Sequence, residues 1–323
     1  MKGSCIMDGI DIADWGMFIV RGGDYDFLSF PERKEPPSTN WYEHNGIDAD
    51  LSEVYFKEKK ISVKFYISAR TGMELYSNIN TFFSFVSEPG YRQIYVREFD
   101  RTFRLRYLSC PELKHKGGLV KVGNKSSLFT VEFAMDDPLQ LFTNPDAAPT
   151  PPDGYFGETH VSLNERDLSE YGIIVNECYN TILPLPAVKK PLSRDFSRIN
   201  GVLVYPYSKT NFEIKQAVIG CTMRAASREE FYTNYEALFR DLTAPGELTL
   251  ASAAGEEKCF FAAMDNFKKN APFRRRILVS FDLRLTCIDS GEIDFLLSTE
   301  DNALLVTEDD INFIDTRYYG QHS

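Results

Sequence analysis

Between Thr71 and Gly90 the apolar residues Leu75, Ile79, Phe82, Phe83 and Val86 recur at intervals of three and four, the spacing of one face of an α-helix. The segment opens with Thr71 and Glu74 at capping-box spacing, which lets a hydroxyl and a carboxylate satisfy amides left free at a helix start. It closes on Pro89-Gly90, which cannot continue a helix. A second segment has the same design: Ser227 and Glu230 open it, Phe231, Tyr235, Leu238, Phe239 and Leu242 form its stripe, and Pro245-Gly246 ends it. Elsewhere the period is two. Phe129, Val131, Phe133 and Met135 alternate with polar residues, as on a strand with one buried face.

The two helical segments match without a gap at a displacement of 156 residues. Glu74, Tyr76, Asn78, Phe83, Pro89 and Gly90 are identical to Glu230, Tyr232, Asn234, Phe239, Pro245 and Gly246. The same displacement sets DIADWGMFIV (11–20) against DLSEYGIIVN (167–176), with Trp15-Gly16 opposite Tyr171-Gly172, and SVKFYISAR (62–70) against VIGCTMRAA (218–226). Asn45-Gly46 meets Asn200-Gly201 at 155, and FTVEFAM (129–135) meets VSFDLRL (279–285) at 150, so insertions are small and fall in loops. The pattern reads as one unit used twice.

Each unit predicts a strand near 11–20, a long loop containing Pro31, Pro36 and Pro37 (Pro184, Pro186 and Pro191 in the second), and a strand pair over about 47–69. The helix follows, then strands near 92–97, 102–108 and 126–136. The expected fold class is mainly β with some α: two tandem antiparallel sandwich or barrel domains, each carrying one packed helix. The expected division is a first copy over 1–143, a Pro-rich linker over 144–162, a second copy over 163–289 and a tail over 290–323. In that tail Thr299-Glu300-Asp301 recurs as Thr307-Glu308-Asp309, which reads as a short hairpin that needs a docking surface.

Composition narrows the function classes. The chain has 323 residues, 25 Phe and 17 Tyr, enough for two domains with real cores and weighted toward residues that suit a sheet. No apolar run approaches the roughly 20 residues of a membrane span, and the N-terminus lacks the apolar block of a secretory signal, so assembly in a cytoplasm is expected. The six cysteines are widely spaced, without a C-x-x-C pair, and read as free thiols rather than zinc ligands or disulfides. A net charge of −11 opposes binding along a phosphate backbone. The basic runs Lys57/Lys59/Lys60 and Arg274/Arg275/Arg276 read as solvated strand ends.

Candidate chemistry is sparse. Asp48 with Asp50, Asp136 with Asp137 and Asp309 with Asp310 are carboxylate pairs, yet the residues after Asp50 break the calcium-loop pattern. Trp41 and Tyr42 could stack on sugar rings, but Trp41 aligns with Phe196, which favours a shared packing role. Gly22-Gly23 and Gly117-Gly118 read as turns, and no nucleophile elbow, Walker loop or dinucleotide fingerprint is present. The sequence therefore predicts no catalytic, cofactor-binding or metal residues, no cofactor and no enzyme activity. A tandem carbohydrate-binding or adhesin module is the alternative reading.

The element order, a first strand, a long loop, strands and one helix on a β-sandwich, resembles the tail-tube fold of phage tail tubes, distal tail proteins and baseplate hubs. The opening GIDIADWGMFIV is similar to the start of distal tail proteins, and the terminal LSTEDNALLVTEDD to short repeats of prophage tail proteins. The resemblance spans roughly 9–136 and 165–288. It implies a structural protein of a phage or prophage tail tip, assembled in the host cytoplasm and resident in the virion tail. Such a protein forms a ring, of three or six chains, joining the tube to baseplate, fibre or hub proteins, without sequence-specific nucleic-acid or membrane contacts. An acidic channel through that ring would let DNA slide.

Overall fold

A computed structural model describes residues 4–116, 125–143, 148–151, 157–191, 193–204, 210–273 and 276–289. Its first half contains β1 (Cys5–Met7), β2 (Ile10–Asp11), β3 (Met17–Ile19), β4 (Ser38–Thr39), β5 (Asp48–Ala49), β6 (Lys59–Ala69), α1 (Gly72–Ser87), β7 (Arg92–Val96), β8 (Arg101–Lys116) and β9 (Lys125–Met135). Its second half contains β10 (Ser162–Leu163), β11 (Arg166–Asp167), β12 (Ile173–Glu177), α2 (Tyr179–Ile182), β13 (Ser193–Asp195), β14 (Val202–Val204), β15 (Lys215–Ala225), α3 (Arg228–Leu242), β16 (Leu248–Ser252), β17 (Gly255–Lys269) and β18 (Ile277–Asp289).

Each half folds into one seven-stranded sheet. The first has the order β2-β1-β7-β8-β9-β6-β3 and the second β11-β10-β16-β17-β18-β15-β12. Adding nine to every strand of the first order gives the second. All neighbouring strands run antiparallel. The fold class is mainly β, with few helices.

The shared sequence devices explain the shared geometry. At the start of α1 the Thr71 hydroxyl accepts from the Glu74 amide at 3.1 Å, while the Glu74 carboxylate accepts from the Arg70 amide. Ser227 and Glu230 make the same pair of bonds at the start of α3. Phe82 of α1 packs on Phe65 of β6 and Phe129 of β9, so the helix covers one face of its own sheet. Gly16 and Gly172 each end a short 3-10 turn in the left-handed region, with φ of 68° and 71°. At Gly16 a Cβ would also stand 2.4 Å from the Ser68 carbonyl oxygen, so only glycine fits.

Four expectations are corrected. The closing strands correspond at a displacement of 152, with Phe129 at the position of Phe281, rather than at the 150 read from their letters. The strand expected over 11–20 is broken by the turn Ile12–Trp15, because the Asp11 carboxylate accepts from the Ala13 amide and caps it. The strand pair expected over 47–69 is not a pair: β5 holds two residues, and residues 50–58 are irregular until β6 begins at Lys59. Their backbone bonds go instead to Glu32, Arg33, Lys34, Pro37 and Gly246. The strand expected over 102–108 extends to Lys116, since register shifts between Tyr107 and Glu112 accommodate Pro111. The hairpin expected over 290–323 lies outside the described residues, as do 144–147 and 152–156 of the expected linker. Thr150 of that linker exchanges two hydrogen bonds with Asn234 of α3.

The core is continuous through both halves, from Cys5 to Cys287. The reason is α3. Its counterpart α1 buries only Leu75, Phe82 and Val86, whereas α3 also buries Asn234, Tyr235, Glu236, Ala237 and Phe239. The additional burial comes mostly from the first half, and at Asn234 from Thr150 of the linker.

Candidate functional site

Two extended arms, one in each half, are the chemically distinctive surfaces of the molecule. The first runs from Phe27 to Glu58. Lys59, the first residue of β6, is buried and donates to the carbonyls of Phe27 (2.9 Å) and Ser29 (2.5 Å), which fixes the base of the arm. Burial lowers the Lys59 ammonium to about pKa 7, against a weaker opposing pull from Asp26. This corrects the expectation that the Lys57 run is solvated: Lys57 is exposed and pairs with Glu32, but Lys59 points inward. In the second half Lys215 donates to the carbonyl of Ile182, so the same lysine pins the same turn.

Both arms are built alike. An isolated antiparallel bridge joins Arg33 to Phe56 in one and Val188 to Phe212 in the other. Backbone bonds from Lys34 to Tyr55 and from Lys57 to Glu32 are answered by Lys189 to Asn211 and Glu213 to Ala187. The small hairpin β4-β5 is answered by β13-β14. These pairings fix the alignment at a displacement of 155, so Leu28 corresponds to Leu183, Phe30 to Leu185, Ile47 to Val202 and Ala49 to Val204.

The first arm lies across the second half. Phe30 sits among Tyr235, Phe239, Phe142 and Phe261, with ring centroids 4.7, 5.0, 5.8 and 6.1 Å away. The Tyr235 hydroxyl donates to the Leu28 carbonyl at 2.6 Å. Further out, Arg33 donates its amide to Ala262, Ile47 donates to Ile288, and Gly246 donates to Leu51. Leu51, Ile47 and Ala49 pack with Phe260 and Ile288. The β7-β8 turn adds charge: Arg101 pairs with Glu236 and lies 3.8 Å over the Tyr232 ring, Asp100 pairs with Arg228, and Lys269 bridges Asp24 and Glu98 at 2.7 Å each. Burial raises the Asp24 carboxyl even though Lys269 opposes the shift.

Among the described residues the second arm has no such bed. Leu28 and Phe30 are 0% and 3% exposed, whereas Leu183 and Leu185 are 64% and 62% exposed. Val188, Ile199, Val202, Leu203 and Val204 are exposed as well. Exposed apolar clusters of this kind rarely stay open to water on a monomer unless a partner covers them. The helix face that corresponds to the bed is also open: Tyr76 is 66% exposed, and Ile79 and Phe83 are half-buried, where Tyr232 is half-buried and Tyr235 and Phe239 are buried.

The candidate residues for chemistry are scattered and occupied. Asp48 accepts from the Trp41 indole at 2.8 Å, Asp50 accepts from Ser52, and Asp136 forms a paired contact with Arg106. Asp309, Asp310, Gly117 and Gly118 lie outside the described residues, as do Arg274 and Arg275. Gly23 closes a turn in which a Cβ would stand 2.7 Å from the Lys64 carbonyl oxygen. Trp41 and Tyr42 are exposed side chains on a loop whose carbonyls are held by Lys189 and Asn211 of the second half, which makes that loop part of the seam between halves. Trp41 and Phe196 share a position but not a buried role, since both are at least a third exposed. Among the described residues five of the six cysteines are buried and all are free, with burial raising the thiols of Cys5, Cys221, Cys259 and Cys287. No group of three metal-ligating side chains occurs among the described residues, and no helix there is long and apolar enough to cross a membrane.

Sequence reasoning placed the Pro-containing loops but not the residues within them. The one available signal was LPLPAV (183–188), an apolar run inside a loop that a monomer gains nothing by exposing.

Fold and site together define a mainly β protein with two like-ordered halves and an apolar surface of the kind used for association. No protein-family model matches the chain, and no curated protein matches it. Among solved structures the chain is similar to the Dit protein of phage SPP1, described as a paradigm of the hub adsorption apparatus in phages that infect Gram-positive hosts. The match has 10% identity and a TM-score of 0.32, covering 88% of this chain and 97% of that one.

Proposed function

We propose that this protein is a structural component of a phage or prophage tail tip, and that it works by self-association into a ring around a channel. One observation carries the reading: the chain holds two sheets of the same strand order, one arm buried against a neighbouring half and the other arm bare. A unit that packs head to tail on its own neighbour is the element from which rings are made. The two halves are read as copies of one ancestral unit, over about 1–143 and 163–289. The order of elements, with a long arm between the first strand and the sheet and one helix on it, supports the tail-tube resemblance. A net charge of −11 supports a channel that repels DNA phosphates. The ring's neighbours would be tube, fibre or hub proteins, met in the virion tail.

Native mass spectrometry with negative-stain imaging of the purified chain tests this reading. A discrete oligomer with a central hole is the expected result. A monomer at tens of micromolar, with no particles larger than one chain, would exclude it.

A further inference from the structure

The two halves differ most in what covers them, and the difference is reciprocal. The first arm is buried and the helix face that it covers, on α3, is buried with it. The second arm is bare, and the matching face of α1 is partly open, with Tyr76 exposed and Ile79 and Phe83 half-buried. One chain therefore carries both sides of an unmade contact whose made version sits in its own middle.

We infer that the second arm of one chain docks on the α1 face of another copy of the same chain, repeating between chains the contact that the first arm makes with α3 within each chain. This rests on the ring reading and supplies its interface. In the repeated contact Leu185 takes the place of Phe30 and meets Ile79 and Phe83, the counterparts of Tyr235 and Phe239. Leu183 takes the place of Leu28, beneath the residue that corresponds to Tyr235. Val202 and Val204, the counterparts of Ile47 and Ala49, meet Arg106 and Asp136 at the tip of the arm, the residues that stand in the first half where Phe260 and Ile288 stand in the second.

A second copy is the fitting occupant for three reasons. The arms share their base lysine, their bridge and their hairpin, so the second arm leaves its sheet in the geometry that lets the first arm reach α3. Both surfaces are apolar: exposed Leu183, Leu185 and Val188 on one side, exposed Tyr76 with half-buried Ile79 and Phe83 on the other. The second arm does not lie on α1 of its own chain, since Leu183 and Leu185 are 64% and 62% exposed. The contact is heterologous, with different patches on the two partners, so successive chains add in series until the ring closes.

The repeated contact also differs from its template in charge. Glu236 corresponds to Asn80 and Arg228 to Gly72, and the four-residue turn that carries Asp100 is replaced by a shorter one at Ala253 and Ala254. The ion pairs of Arg101 with Glu236 and Asp100 with Arg228 therefore have no equivalents between chains. The interchain contact is apolar where Leu183 and Leu185 dock, and charge enters it only through the Arg106–Asp136 pair at the tip of the arm.

Two chains in a Cys110→Ser background test this, one with Leu185→Cys and one with Ile79→Cys. Treated with a short bismaleimide, each alone stays at single-chain mass, their mixture gives a covalent dimer and nothing larger, and a chain with both substitutions gives a ladder. Separately, Leu183→Asp with Leu185→Asp keeps the folded far-UV spectrum, since both positions are solvent-exposed within the chain, and raises the dissociation constant by about a hundredfold or more. A native oligomer that ignores both substitutions and yields no mixed dimer overturns this contact and leaves the ring reading intact. A native chain that stays monomeric overturns the ring reading itself. A bridge formed within single chains places another segment of the same chain on the α1 face and overturns the contact.

Discussion

Replacing Phe30 by alanine, and its counterpart Leu185 by alanine, compares the same arm position in its occupied and bare states. Phe30 is 3% exposed and its ring touches four others, Tyr235 and Phe239 of α3, Phe142 and Phe261. Removing a buried phenyl ring forfeits its transfer from water and leaves a cavity that rigid aromatic neighbours fill poorly, at about 3–5 kcal/mol. At about 2 cal/mol/K of unfolding entropy per residue, a chain of this length would lose about 5–8 °C of melting temperature. Leu185 is 62% exposed, so Leu185→Ala changes the stability of the separated chain by less than about 0.5 kcal/mol. Thermal melts followed by intrinsic fluorescence, at concentrations low enough to keep chains apart, give both numbers. The continuous core predicts a single transition for each protein. Equal effects at the two positions, or a neutral Phe30→Ala, would refute the claim that the first arm is a structural part of the second half.

Other outcomes follow from the same geometry. Arg101→Ala removes the charge-assisted bond that Glu236, 6% exposed, accepts across the seam and costs about 1.5–3 kcal/mol in urea unfolding; a change below 1 kcal/mol, on the order of a surface pair, would contradict a buried pair. Gly16→Ala forces a Cβ into a left-handed residue against the Ser68 carbonyl, costing about 1–3 kcal/mol from the backbone alone, which a melting curve reads directly. Lys59 has a folded pKa lowered to about 7, below its unfolded value near 10.5. The unfolded chain therefore binds the extra proton between those values, and the Lys59 contribution to stability rises with pH from about 7 to about 10.5. Stability against pH for the native chain and Lys59→Met should diverge across that window, and parallel curves would show that Lys59 is not buried as described.

The sequence exposed the scaffold better than the surface. Capping boxes, helix stripes, closing strands and turn glycines are local patterns, and each is read from residues within a few positions of one another, as Thr71 with Glu74 shows. The arms are not local. Residues 50–58 look like strand because Leu51, Val54 and Phe56 alternate loosely, but their carbonyls and amides are satisfied by Gly246 and by the bridge to Arg33. Lys59 looks like an edge charge in sequence, and only the path of Phe27 to Ser29 over it makes it a buried clasp. The candidate surface was hidden for a related reason. Phe30 and Leu185 are equivalent apolar loop residues, and nothing along the chain states that one is covered and the other bare.

The most direct measurement joins the mass of the assembled particle to its rotational symmetry in end-on images. If alternate halves occupy equivalent positions, the ring shows twice as many lobes as it contains chains, with contacts within and between chains alternating around it. A ring with as many lobes as chains, its second halves stacked away from the channel, would contradict the account.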